Sequence, residues 1–221
     1  MKKTAIILGA TGLVGGHLLQ KLIDDERYQT IKLFSRSKIE GLPNKVKQFI
    51  VDILDLEQFK SDFIADEIFC CVGTTIKKTP DKTLYKKIDY GIPVSAAKLA
   101  KANHIDTFLV ISSIGSDKNS STFYIKTKGE MEHEVLKENI KNTVILRPSF
   151  IGGHRNEKRA LENIGLLIFK MIQPLLIGSL KKYRIIEAKT IAQAMIHLAN
   201  TTEENEVIVT SNRIQDIGTN N

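Results

Sequence analysis

Thr4-Ala-Ile-Ile-Leu8-Gly9-Ala-Thr-Gly12-Leu-Val-Gly15 opens the chain, and His17-Leu-Leu-Gln-Lys-Leu-Ile23 follows it with apolar residues at helical spacing. Five apolar or small residues in a row, cut off by glycine, read as a strand buried on both faces, the kind found inside parallel sheets. Strand, glycine turn and amphipathic helix in that order match a dinucleotide-binding arrangement. Gly9 permits the tight turn, Gly12 lets the backbone approach a pyrophosphate, and Gly15 lets the helix pack closely on the strand. Thr11, Leu13 and Val14 complete the turn. The open amides and the dipole at the helix start favour an anionic ligand there.

Outward from this unit, strand and helix continue to alternate. Thr30–Phe34 reads as a second strand and Phe49–Ile53 as a third. Glu67–Val72 reads as a fourth, ending at Gly73-Thr74-Thr75, and Thr107–Ile111 as a fifth, ending at Ser112-Ser113. Asn142–Leu146 is a sixth, leading into Arg147-Pro148. Helices are expected from about Lys82 to Asn103, bent near Gly91 and Pro93, from about Phe123, and around Ile191–Leu198. Such alternation predicts an α/β fold with a doubly wound, mostly parallel sheet of Rossmann type. A length of 221 residues suits a single NAD(P)-binding domain over 1–221, with residues from about 150 onward forming a small substrate region.

Sheets of this kind bind ligands beyond the carboxyl ends of their strands, so the residues there are the candidates. Ser35-Arg36-Ser37 lies about 20 residues beyond Gly15, where an acidic side chain would select the ribose hydroxyls of NAD. No acid is present, and an arginine flanked by hydroxyls suits a 2′-phosphate. NADP(H) is therefore expected over NAD(H), against the plainer reading of Arg36 as a solvated surface residue. Asp52, with Ile53, either faces the adenine or closes a strand-end turn. Val72, Gly73 and Thr74 would let the backbone approach the cofactor and offer it a hydroxyl.

Tyr124 and Lys128 are four residues apart on the helix after the fifth strand, so they share one face with Cβ atoms about 5–6 Å apart. An ammonium beside a phenol stabilises the phenolate, by roughly 4 kcal/mol at ~4 Å and an effective dielectric near 20. Such a tyrosine exchanges protons with a carbonyl or alcohol near neutral pH. Spacing alone is weak evidence, because Tyr28 and Lys32 repeat it. Only Tyr124 follows the glycine turn and the strand-end serines. Ser120, Ser121 and Thr122 are expected to cap its helix, Met131, Val135 and Leu136 to form its apolar face, and Glu130–Glu134 to be mostly solvated.

A strand-end serine with a tyrosine–lysine pair on the next helix resembles the short-chain dehydrogenases/reductases. Phe69-Cys-Cys-Val-Gly-Thr-Thr75, the double serine with Gly115 and Asp117, and Tyr124-x-x-x-Lys128-Gly129-Glu130 narrow the resemblance. They are similar to the small atypical group that includes the Tat-interactive-protein-like oxidoreductases, whose members are often described as epimerase- or dehydratase-like. The resemblance implies Tyr124 as acid or base, with Lys128 holding the nicotinamide ribose and lowering the tyrosine pKa. It also implies a serine orienting the substrate carbonyl. Ser113 is the leading serine, with Ser112 as a backbone cap or in the reversed role. Arg147-Pro148 would line the nicotinamide pocket, unless Arg147 is a structural ion-pair partner. Two departures stand out: Asp89 lies near the position expected for the catalytic asparagine, and the C-terminal region is short for a sugar-nucleotide epimerase.

The expected activity is hydride transfer between NADP(H) and a small carbonyl or alcohol substrate. A dinucleotide-sensing regulatory protein and a sugar-nucleotide epimerase or dehydratase are the alternatives. A net charge of +7 raises nucleic-acid binding. The positive residues are dispersed (Lys77-Lys78, Lys86-Lys87, His154–Arg159, Lys181-Lys182) and lack an aromatic platform, so no specific nucleic-acid partner is expected. Lys2-Lys3 before an apolar run superficially suggests a secretory signal, but glycines break the run. No run of 18 apolar residues suggests a transmembrane segment. Ile164–Phe169 and Leu175–Ile177, interrupted by Lys170, Gln173 and Pro174, are read as a buried helix or pocket wall, with a homodimer face also open. His133 and His154 lack partners at metal-ligand spacing, so no metal is expected. Adjacent Cys70 and Cys71, with no distant partner, point to a reducing cytoplasm.

Overall fold

The computed structural model describes residues 2–153, 183–201 and 207–220. The apolar stretch 164–177, His154, Arg155, Arg159 and Lys181-Lys182 lie outside the described residues.

Seven strands form one parallel sheet: β1 (Lys3–Leu8), β2 (Tyr28–Ser35), β3 (Val46–Ile50), β4 (Glu67–Cys70), β5 (Thr107–Ile111), β6 (Asn142–Arg147) and β9 (Ile208–Thr210). Their spatial order is β3-β2-β1-β4-β5-β6-β9. The chain winds outward from β1 to β3, then returns to lay β4 against the other side of β1, so the order reverses between β1 and β4. A short parallel pair, β7 (Ile151–Gly152) with β8 (Ile186–Glu187), stands apart.

Both faces of the sheet are buried, which explains the unbroken apolar runs in the sequence. Side chains alternate between faces along a strand. Ala5 and Ile7 of β1 pack with Leu33, Phe69, Leu109 and Val144 beneath α1 (Leu13–Asp24), α5 (Ala188–Asn200) and α6 (Ser211–Asn220). Ile6 and Leu8 face the other way, joining Phe34, Ile68, Phe108, Val110 and Ile145 beneath α3 (Ile92–Ala102) and α4 (Phe123–Lys137). The result is a three-layer sandwich of helices, sheet and helices.

Several details depart from expectation. The third strand is Val46–Ile50, paired with β2, and not Phe49–Ile53. Asp52 instead starts a 3-10 helix (Ile53–Phe59), its carboxylate accepting the Leu54 N–H at 3.0 Å. The helix expected from Lys82 is continuous to Ala102, but it widens where a bend was anticipated. After α2 (Lys82–Lys86), residues Lys87–Gly91 form a π-turn, with the Ile92 N–H bonded to the Lys87 carbonyl. Pro93 has no N–H to give the Asp89 carbonyl four residues back, so the normal ladder lapses there. Thr122 occupies the cap position of α4 without a side-chain cap bond, and the Ser120 hydroxyl accepts the Thr122 N–H at 3.1 Å. Glu130–Glu134 is not mostly solvated, because Glu132 is buried.

Tyr28, the other tyrosine with a lysine four residues on, is structural. It donates to Glu67 Oε2 at 2.6 Å and accepts from Asn200 Nδ2 at 2.8 Å. Lys3 completes the cluster through an ion pair with Glu67.

Candidate active site at the carboxyl edge of the sheet

The β1 and β4 loops meet where the strand order reverses. Gly9 has a φ of +86°, and a Cβ there would lie 2.8 Å from the Cys71 carbonyl carbon. A Cβ on Gly15 would lie 2.2 Å from the Gly9 oxygen, so α1 can start this close to the strand only with glycine. The turn is closed by the Gly12 N–H donating to the Gly9 carbonyl at 2.9 Å. Gly12 caps α1 without a side chain, and no acidic residue occupies the first turn. A backbone cradle without competing carboxylates fits a pyrophosphate. Thr11 is exposed, whereas the side chain of Val14 is committed to the core and that of Leu13 packs against it.

At the end of β2, Ser35 is buried and its hydroxyl donates to the Ser37 carbonyl at 2.8 Å, which commits it to the turn. Arg36 and Ser37 are exposed beside it. Asp52 is exposed, and its Oδ1 serves as the cap described above. Ile53 packs against the core. Val72 is buried, Gly73 is exposed, and Thr74 Oγ1 is 2.9 Å from Thr79 Oγ1.

The next two loops are tied together. The Ser112 N–H donates to the Leu146 carbonyl at 2.7 Å, and the Ile114 N–H to the Pro148 carbonyl at 2.9 Å. The Ser112 hydroxyl is bound in a buried network, 2.5 Å from Glu132 Oε1 and 3.0 Å from Ser116 Oγ. Arg147 grips the same carboxylate with both arms of its guanidinium, at 2.9 and 2.5 Å. This fork joins β6 to α4 and makes Arg147 the ion-pair partner that the sequence left open. Ser113 is held less tightly, its hydroxyl 3.3 Å from the Ile114 carbonyl.

Lys128 is 4% exposed on α4. Its Nζ lies 3.0 Å from Asp89 Oδ1 on the π-turn and 3.5 Å from the Ile111 carbonyl at the end of β5. Burial opposes the ammonium charge, but the Asp89 carboxylate and the Tyr124 phenol outweigh it and hold the Lys128 pKa above its ordinary value. Asp89 is itself buried, and its second oxygen accepts the Thr74 N–H at 2.7 Å. A Cβ on Gly73 would sit 3.6 Å from Asp89 Oδ1 and 3.9 Å from Lys128 Nζ, so the glycine lies directly over the pair. Tyr124 is half-buried one turn earlier on α4. Tyr85, buried on α2, donates a long bond of 3.5 Å to the Thr74 carbonyl and stacks edge-on against Phe123. Burial, then the Asp89 charge and Tyr124, push its phenol pKa up. Sequence reasoning missed Tyr85 and the contact between Asp89 and Lys128. The available signal was the four-residue spacing of Tyr85 and Asp89, which puts both on the face of α2 and the π-turn that meets α4.

The glycine turn, the β4 loop and the tyrosine–lysine helix thus converge on one edge, as in a nicotinamide dinucleotide site. A sequence profile described as NAD(P)H-binding matches residues 9–202, and the chain belongs to that family. Within it, the chain is an atypical short-chain dehydrogenase/reductase-like protein related to the FMP52 and HTATIP2 proteins. It is 29% identical to the mitochondrial protein FMP52 of Debaryomyces hansenii, over 89% of this chain and 88% of that one. Protein HTATIP2 of Rattus norvegicus is 32% identical over 71% of this chain and 66% of its own. Among solved structures, UDP-glucose 4-epimerase of Thermotoga maritima superposes with a TM-score of 0.70 at 15% identity, covering 98% of this chain and 82% of that one. At that identity the likeness speaks for the fold.

One expectation is overturned here. The relatives from Debaryomyces hansenii, Scheffersomyces stipitis, Candida glabrata and Candida albicans are named as mitochondrial proteins, against the cytoplasmic placement read from Cys70 and Cys71. Two unbridged thiols indicate reducing surroundings without specifying which compartment supplies them.

Proposed function

We propose that this protein is an NADP(H)-dependent oxidoreductase that interconverts a small carbonyl compound and its alcohol, with Tyr124 as acid and base. The observation that carries the reading is the buried Lys128 ammonium, fixed one helical turn from Tyr124 and 3.5 Å from the Ile111 carbonyl at the end of β5. A buried cation so placed favours the ionised form of the phenol.

Gly9, Gly12 and Gly15 would hold the pyrophosphate, Arg36 the 2′-phosphate, and Lys128 the nicotinamide ribose. When bound, the dinucleotide supplies or accepts hydride. Tyr124 protonates the carbonyl oxygen in reduction and takes the proton back in oxidation. Ser113 donates to the same oxygen and orients it. Ser112 is the weaker candidate, since its hydroxyl is engaged by Glu132 and Ser116. Positioned proton transfer of this kind contributes about 10²–10⁴-fold in rate.

The test is a panel of aldehydes and ketones followed by NADPH absorbance. Stoichiometric NADPH loss with product alcohol supports the reading. Turnover without net cofactor consumption indicates an epimerase or dehydratase. NADPH binding without any carbonyl-dependent loss across the panel indicates a dinucleotide sensor.

A further inference from the structure

Asp89 is a buried carboxylate that the proposed chemistry does not use, and it stands in direct contact with a residue that it does use. Its two oxygens have different partners: Oδ1 faces the Lys128 ammonium at 3.0 Å, and Oδ2 accepts the Thr74 N–H at 2.7 Å. The carboxylate therefore bridges the β4 loop and α4, the two elements that flank the site. It is carried on a π-turn, a local widening that recurs at functional sites and that Pro93 enforces here. Gly73 lies directly over the pair, where a Cβ would be 3.6 Å from Asp89 Oδ1.

We propose that Asp89 is a positioning residue that aims Lys128 and tempers its effect on Tyr124, so that Tyr124 responds to the ion pair and not to a lone ammonium. This rests on the reading of Tyr124 as the acid and base. A lone buried cation would draw the phenol strongly toward phenolate. A carboxylate 3.0 Å from that cation offsets part of its field at the phenol and leaves the remainder to act on it, because the two charges are opposite in sign. Among the described residues, the other groups around the site leave this balance standing. Tyr85 from α2 is neutral, its pKa pushed up. Cys70 from β4 is held protonated by burial, its pKa pushed up to about 11. Glu132 is matched by Arg147, and Glu130 by Lys86 at 2.6 Å.

The prediction is read on the full chain by NMR of protein labelled with ¹³Cζ-tyrosine, with the Tyr124 signal assigned by its loss in Tyr124→Phe and the Tyr85 signal by its loss in Tyr85→Phe. Asp89→Asn keeps the size and the acceptor for Thr74 but removes the charge. Tyr124 should then titrate about one pH unit or more below wild type. Where Asp89→Asn does not fold alone, the same comparison is made on a Lys128→Met background, with Tyr124 titrating lower in Lys128→Met/Asp89→Asn than in Lys128→Met. An unchanged Tyr124 titration in a folded Asp89 variant overturns the proposal, since a merely structural aspartate would affect stability alone. This readout needs no substrate. Failure of the carbonyl panel with a shifted titration removes the reductase reading, whereas carbonyl-dependent turnover with an unshifted titration removes the role of Asp89.

Discussion

In the proposed function, Arg36 is the residue on which cofactor choice turns. It is exposed at the carboxyl end of β2, where no acid stands to bind ribose hydroxyls. A guanidinium–phosphate contact is charge-assisted, worth about 1.5–3 kcal/mol, which converts to roughly tenfold or more in affinity. Arg36→Ala should therefore weaken NADPH binding by about tenfold or more in a fluorescence titration and leave NADH binding nearly unchanged. Equal loss for both cofactors would show that Arg36 does not read the 2′-phosphate. Its neighbour Ser35 illustrates the limits of a residue-level reading. Hydroxyls on both sides of an arginine suggest a phosphate site, yet the Ser35 hydroxyl is turned back onto the Ser37 carbonyl. Composition reveals which groups are present near a strand end, whereas their direction depends on the turn geometry.

At the scale of elements, α4 is the helix that organises the site, and the Glu132–Arg147 fork anchors it to β6. Glu132 is 4% exposed, so removing its partner leaves a buried carboxylate with only hydroxyl company. Arg147→Met should cost about 3 kcal/mol, seen as a lower urea midpoint, and Glu132→Gln/Arg147→Met should recover much of it. Equal midpoints for wild type and Arg147→Met would show that the fork does not anchor α4. The helix itself was legible in the sequence through Met131 and Val135 at helical spacing, but its acidic run was misread as solvated. Periodicity separates apolar from polar faces, and a carboxylate buried by an arginine from a distant strand leaves no periodic trace. The same limit explains β3. It is a half-buried edge strand, so the apolar run Phe49-Ile-Val drew the boundary a few residues late. The interior strands, each with a buried apolar centre, were read with small end errors. The sheet order beyond β6, the β7–β8 pair and α6 were not anticipated, because short segments near the chain end carry too few residues to show a period.

For the molecule as a whole, the doubly wound order places every strand's carboxyl end at one edge, and the residues singled out for chemistry collect there. The opposite edge is structural, and its buried Tyr28–Glu67–Asn200 cluster predicts how stability depends on pH. Burial first, and then the Glu67 charge and the hydrogen bond to it, hold the Tyr28 pKa above its ordinary value of 10.0. The folded chain keeps this proton where the unfolded chain releases it. Stability is thus fully present below about pH 10 and is lost as the pH rises past it, at about 1.4 kcal/mol per pH unit for one group. In urea denaturation between about pH 9 and 11, wild type should lose stability more steeply than Tyr28→Phe. Tyr85 also has a raised pKa but is common to both proteins, so the difference isolates Tyr28. Parallel slopes would place the alkaline sensitivity elsewhere.

The central claim is that the buried Lys128 and its helix neighbour Tyr124 form a proton-transfer unit on a dinucleotide-binding frame. The most direct measurement compares wild type and Tyr124→Phe for NADPH affinity and for NADPH consumption with a carbonyl substrate found in the panel. The account predicts an NADPH dissociation constant within a few-fold of wild type and turnover lowered by about 10²-fold or more. Near-normal turnover in Tyr124→Phe would contradict it.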